Sequence, residues 1–231
     1  EDKHLYLEDF NRDPLYSALD LASKIDICSN VTMFTRRDDL DRLHYYVFSR
    51  HFLPEETIHD PDQKYSDTYK TWVSTPWENS GGTALNESEG AEIDFNNIYD
   101  EIIEQDSWLS LHEVPYDPYH ATQLAHMLSD AGITAVKIPQ RVQYLSPGMK
   151  EVTAALKSGR LHHDGNPVLT WMMGNVVAKE DAKNEVFPRK NHEAQKIDGA
   201  VCLIMAVYRA SQGEPEALNL LETMDDEDLV L

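Results

Sequence analysis

The sequence predicts an α/β fold: a mixed sheet of three antiparallel strands followed by parallel strands, flanked by helices. Three observations lead there. β-branched and aromatic runs crowd the first fifty residues with short polar connections, strand-like and helix-like patterns alternate in the second half, and a long apolar-striped helix closes the pattern. With 231 residues and 41% hydrophobic content, the chain has enough apolar surface for one large core.

Residues 1–14 are polar and irregular and read as a linker entering the domain. Leu15 to Ala22, Asn30 to Arg36 and Leu43 to Arg50 then read as three consecutive antiparallel strands. A helix is expected within Asp62 to Trp72, and Pro76 to Gly90, with Gly81-Gly82, reads as a loop or irregular strand region. Asp94 to Gln105 places Phe95, Ile98 and Ile102 on one helical face. Trp108 to Val114 alternates like a strand and ends at Pro115-Tyr-Asp117-Pro118, where a helix running to Ala131 begins.

Thr134 to Ile138 is a strand candidate, and Pro147 to Lys157 reads as a helix with Pro147 near its start. Asn166 to Val177 is apolar and fits helix or strand, and Asp181 to Asn191 fits a polar loop or hairpin. The last helix is expected over Ile197 to Ser211, burying Val201, Ile204, Met205 and Tyr208. The domain therefore spans 15–212, and 213–231 form an acidic tail in which Glu222, Asp225, Asp226, Glu227 and Asp228 crowd together.

Composition narrows the function. Cys28 and Cys202 provide no disulfide framework and no C-x-x-C, which suits a reducing compartment and argues against structural zinc. No apolar run is long enough to span a membrane and no signal peptide is recognisable, so the expectation is a soluble piece of something longer. Neither G-x-x-x-x-G-K-[ST] nor G-x-G-x-x-G occurs, which excludes ATP hydrolysis by this chain. The net charge of −21 disfavours a free-standing DNA reader; acting on DNA would require bound metal and a partner domain to supply positive potential.

Asp20, Asp117 and Asp198 interrupt apolar runs at the edges of predicted elements, where an unpaired carboxylate is costly to bury. Carboxylates converging from distant segments are a means of holding Mg²⁺ or Mn²⁺ for phosphodiester chemistry. Each also has a plain structural explanation. Asp20 shares a strand face with Ala18 and fits a strand-end turn as well as a ligand. Asp117 before Pro118 is a good N-cap, and a negative charge at Asp198 favours a helix start. Asp26 reads as a loop residue and His162-His163-Asp164-Gly165 as an exposed loop rather than a metal site. His120 is placed on the helix after Asp117, and Lys24, Arg141 and Lys196 are candidate phosphate contacts without specific spacing.

Four ordered blocks carry a resemblance: Val114-Pro-Tyr-Asp117-Pro-Tyr-His-Ala-Thr-Gln123, Leu145-Ser-Pro-Gly-Met-Lys-Glu151, Gly165-Asn-Pro-Val-Leu-Thr-Trp-Met-Met-Gly-Asn-Val-Val177 and Lys196-Ile-Asp198-Gly-Ala-Val-Cys-Leu-Ile-Met-Ala206. Over most of its length the chain resembles the C-terminal nuclease domain of tailed-bacteriophage large terminase subunits. The resemblance implies a ribonuclease H-like fold, with Asp20, Asp117 and Asp198 at the positions of the family's acidic metal ligands. It further implies two Mg²⁺ or Mn²⁺ ions roughly 4 Å apart, one activating water and the other stabilising the departing 3′ oxygen.

The implied activity is endonucleolytic cutting of concatemeric viral double-stranded DNA during genome packaging, in the host cytoplasm. The implied partners are DNA, the terminase ATPase domain, which this chain lacks, the small terminase subunit and the portal. Residues 1–14 would then be a remnant of the interdomain linker. Many relatives have Trp-Asn where this chain has Tyr119-His120. Two other readings are a resolvase-type ribonuclease H-like nuclease and a non-catalytic acidic module that docks on a portal or partner subunit.

Overall fold

Periodicity of two over the first three strands sorts their side chains onto two covered faces, and this sorting builds the molecule. The structure, a computed structural model, describes residues 5–21, 25–80 and 82–212. After a short 3₁₀ turn at Leu7–Phe10 come β1 (Pro14–Asp20), β2 (Cys28–Arg37) and β3 (Leu43–Pro54), paired antiparallel in sequence. Two helices follow, α1 (Glu55–His59) and α2 (Ser66–Val73). Next come a two-residue ladder of β4 (Pro76–Trp77) and β5 (Gly82–Thr83), then β6 (Asn86–Ser88), α3 (Phe95–Trp108), β7 (Ser110–Tyr116), α4 (Pro118–Asp130) and β8 (Ala135–Lys137). The rest is α5 (Val142–Lys157), β9 (Leu161–His163), α6 (Pro167–Gly174), the hairpin β10 (Val176–Glu180) and β11 (Val186–Lys190), and α7 (Asp198–Ser211).

The sheet order is β6-β3-β2-β1-β7-β8, with β9 alongside the first half of β3. β7 is parallel to β1 and β8 to β7, so three antiparallel strands are extended by parallel ones, as expected. On one face Tyr16, Ala18, Val31, Met33 and Val47 pack against α5 and α7. On the other, Leu19, Val114 and Tyr116 pack against Ile98, Ile102, Leu124 and Leu128 of α3 and α4.

Several expectations need correction. The expected helix within Asp62 to Trp72 begins only at Ser66, because the chain first closes α1 and turns at Asp60 and Gln63. Trp108 ends α3 rather than starting a strand and is 42% exposed. α5 starts at Val142, so Pro147 lies inside it, beyond the first turn, where it has no N–H to give the Gln143 carbonyl. His162 and His163 lie on the strand β9, and Asp164 is buried and accepts from Trp77 Nε1 at 2.9 Å; the expected exposed loop is absent. The ambiguous apolar segment resolves into α6, capped by Asn166, followed by the start of β10.

α7 is buried around most of its circumference, from Gly199 to Val207, rather than along one stripe, and Tyr208 is only half-buried. The reason is a second layer: α5 crosses it so closely that a methyl group at Gly148 would collide with the Ile204 carbonyl. Within 1–14, Leu5 and Phe10 are buried, Phe10 stacking on Phe34 at 5.1 Å. The acidic residues 213–231 and Lys24 lie outside the described residues.

Candidate metal centre

Asp20 ends β1 on the face of Tyr16 and Ala18, the face that α7 covers. β7 runs beside it with Leu19 opposite Tyr116, and the Asp117 backbone N–H donates to the Leu19 carbonyl at 3.1 Å. Two acids therefore stand next to each other at the carboxyl edge of adjacent parallel strands, where ligands of α/β sheets collect. α7 delivers the third. It begins at Asp198, and one turn later Cys202 donates its thiol to the Ser29 carbonyl at 3.4 Å; Ser29 is the register partner of Asp20.

Asp117 also does what its position before a proline suggests, capping α4 by accepting from the Tyr119 N–H at 3.1 Å. The cap and site readings thus coexist at one residue. The helix then breaks: His120 takes a left-handed φ of 68°, and Tyr119 and His120 stand exposed with their rings 4.2 Å apart.

The electrostatics link the acids. Burial holds the Asp20 carboxyl well above the usual carboxylate range, and the charges of Asp198 and Asp117 push it further. Asp198 is raised by burial and by Asp26. Asp117 is raised by burial, against the opposing effects of the Tyr119 N–H, Gln140 and His120. The same three aspartates, after burial, raise the Cys202 thiol. Lys190, at the end of β11, counters both Asp20 and Asp198.

Asp26 was read from sequence as a loop residue, yet it borders this group: one oxygen accepts from the Ile27 N–H at 2.8 Å and the other pairs with Lys196. Of the candidate phosphate contacts, Lys196 is thus committed to an acid, and Arg141 is exposed at the start of α5. The spacing of Lys196 two residues before Asp198 is visible in the sequence. Its partner is not, because Asp26 comes from the opposite end of the chain.

Asp198 Oδ2 is buried without a hydrogen-bond partner. An unpaired carboxylate oxygen beside other acids is expensive unless a cation meets it. The donor set is entirely oxygen, which suits hard ions such as Mg²⁺ or Mn²⁺ rather than zinc. The acids do not form a tight cage: among the described residues, the group of three whose ligand atoms all fall within 4.8 Å of one another is the exposed Glu55, His59 and Glu87.

The family model described as terminase large subunit, endonuclease domain, matches residues 7–214. The chain is 40% identical over 223 residues to protein YmfN of Escherichia coli (strain K12), covering 94% of this chain and 47% of that protein. It is 24% identical over 198 residues to the terminase large subunit of Enterobacteria phage HK97, covering 85% of this chain and 37% of that one. The chain thus spans less than half the length of these curated relatives.

Among solved structures, the HK97 bacteriophage large terminase aligns with a TM-score of 0.70 at 23% identity, over 85% of this chain and 39% of that one. The large terminase nuclease of thermophilic phage G20c with bound magnesium aligns at 0.53 and 9% identity, over 84% and 80%. At these identities the structural likeness establishes the fold, which is ribonuclease H-like.

Proposed function

The chain belongs to the family of terminase large subunit endonuclease domains, and from that premise we propose that it is a divalent-metal-dependent endonuclease that cuts concatemeric viral double-stranded DNA during packaging. The observation that carries the metal dependence is the unpartnered, buried Asp198 Oδ2 beside Asp20. Asp20, Asp117 and Asp198 would hold the ions, with Asp20 the acid that feels both of the others. Bound there, Mg²⁺ or Mn²⁺ supplies an activated water and charge stabilisation for the departing 3′ oxygen.

The protein's own part is to place and dry the acids. The carboxyl edge of β1 and β7 sets Asp20 beside Asp117, and the Cys202 contact holds the first turn of α7, with Asp198, against β2. Lys190, together with Lys196, brings positive charge to an acidic neighbourhood. In a chain of net charge −21, the remaining attraction for DNA falls to the metal ions and to the partners of a packaging motor: an ATPase domain, a small terminase subunit and a portal. Assembly in the host cytoplasm is the setting this function requires.

Plasmid nicking and linearisation in Mn²⁺ or Mg²⁺ test the proposal. The wild-type chain should cut and stop cutting in EDTA, and Asp20→Asn and Asp198→Asn should each lower the rate by about 10³-fold. Unchanged cleavage by both variants would sink the assignment.

A further inference from the structure

His51 does not belong to the acidic group, yet the strand register sets it in line with Asp20, with Ser29 between them. Its side chain on β3 is completely buried, and both ring nitrogens are engaged: Nδ1 with Ser29 Oγ at 2.9 Å and Nε2 with Ser49 Oγ at 3.0 Å. Bonds at both ends fix the ring in its plane. Ser29 in turn is the register partner of Asp20.

The Cε1 carbon between those two nitrogens faces α7. A methyl group built at Gly199, the residue after Asp198, would lie 2.8 Å from His51 Cε1, 3.1 Å from Met172 Sδ and 3.2 Å from Leu169 Cδ1. Met172 can yield by changing rotamer, and its sulfur accepts from the Gly199 N–H at 3.1 Å. The imidazole, held at both nitrogens, cannot. Glycine costs a helix about 1 kcal/mol relative to alanine, so its presence in the first turn needs a reason. Close approach to His51 provides one.

We propose that His51 is a positioning residue for the metal centre: it sets the distance between the strand end carrying Asp20 and the helix start carrying Asp198, and glycine at 199 is what allows that distance. This rests on the metal-dependent reading above. A rigid ring bonded to Ser29, the register partner of Asp20, and packed against Gly199, the neighbour of Asp198, fixes the ligand spacing before any ion arrives, which is how residues beyond the ligands tune metal affinity.

The test is a double-mutant cycle of Mn²⁺ affinity, measured by calorimetry on the wild-type chain, Gly199→Ala, His51→Ala and the pair, with thermal melts of each metal-free protein. Gly199→Ala should bind Mn²⁺ about tenfold or more weakly while remaining folded. Removing the ring makes room for the methyl group, so the double variant should bind more tightly than Gly199→Ala alone. If His51→Ala does not fold, His51→Asn, which keeps a hydrogen-bonding amide in a smaller side chain, replaces it in the cycle. Additive losses, or a Gly199→Ala chain with wild-type affinity, would overturn the role of His51 and leave the metal centre standing. A wild-type chain that binds no Mn²⁺ would instead overturn the metal reading itself.

Discussion

The two ends of α7 each press against a buried acid, and they treat it differently. At the C-terminal end Arg209 forks onto Glu113 of β7 with bonds of 2.6 and 2.8 Å, so a carboxylate with almost no exposure has a full partner. At the N-terminal end Asp198 keeps an oxygen without any hydrogen bond and stands near Asp20, which is already raised by burial and neighbouring charge. A third buried acid, Glu101 of α3, follows the first pattern: Arg50 meets it at 3.0 Å, Asn30 and Gln105 donate to it, and burial still pushes it up to about 7. Glu113 and Glu101, which serve the fold, each come with an arginine. Asp20 and Asp198 do not, and that contrast is what the proposed metal site rests on.

If this contrast is correct, the largest effect on stability lies at the arginine end. Arg209→Met should cost about 3 kcal/mol in urea unfolding, because it strands the Glu113 charge, and it should leave Mn²⁺ affinity unchanged. Replacing Glu113 with methionine as well should recover most of that loss.

Metal comes next. Mn²⁺ at a hundred times its Kd should stabilise the folded chain by about 2.7 kcal/mol in thermal melts, and a melting temperature indifferent to Mn²⁺ would break the comparison. The gain depends on pH. Asp20 and Asp198 have folded pKa values raised above those of the unfolded chain, so the folded state retains protons that the unfolded state has lost. Metal-free stability therefore falls as pH rises from about 4 towards those raised values, and Mn²⁺ should offset this fall only once the acids are ionised. Melts across this range with and without Mn²⁺ should diverge as pH increases.

A smaller effect has the opposite sign from most mutations. Asp198→Asn should raise the stability of the metal-free chain by about 1 kcal/mol, since it removes an unpaired charge, while abolishing metal-induced stabilisation. A loss of metal-free stability would show that Asp198 serves the fold instead. Smallest of all is Asp117→Asn: asparagine caps as well as aspartate, so stability should change by less than about 0.5 kcal/mol while Mn²⁺ binding weakens.

Much of this architecture follows from local pattern. The alternation in β1, β2 and β3, the Asp-Pro start of α4 and the polar hairpin after α6 are all encoded within a few residues of where they act. Misread segments share a cause. Trp108 and the His162-His163 run were assigned by their own chemistry, whereas their states depend on neighbours: α3 extends a turn further than its apolar stripe, and β9 exists only because β3 offers it an edge. The stripe predicted for α7 was too narrow because α5 covers the side that would otherwise face water.

By itself the sequence determined that three aspartates would sit at element edges and that Asp20 would share a face with Ala18, because strand parity is a local property. Only the tertiary structure decided that β7 would lie beside β1, that Asp26 and Lys196 would meet across 170 positions, and that a neutral His51, its pKa lowered to about 3 by burial, would sit beneath Gly199. Those pairings join segments that have no pattern in common. They follow from the packing of whole elements, and no short stretch of chain carries the information to predict them.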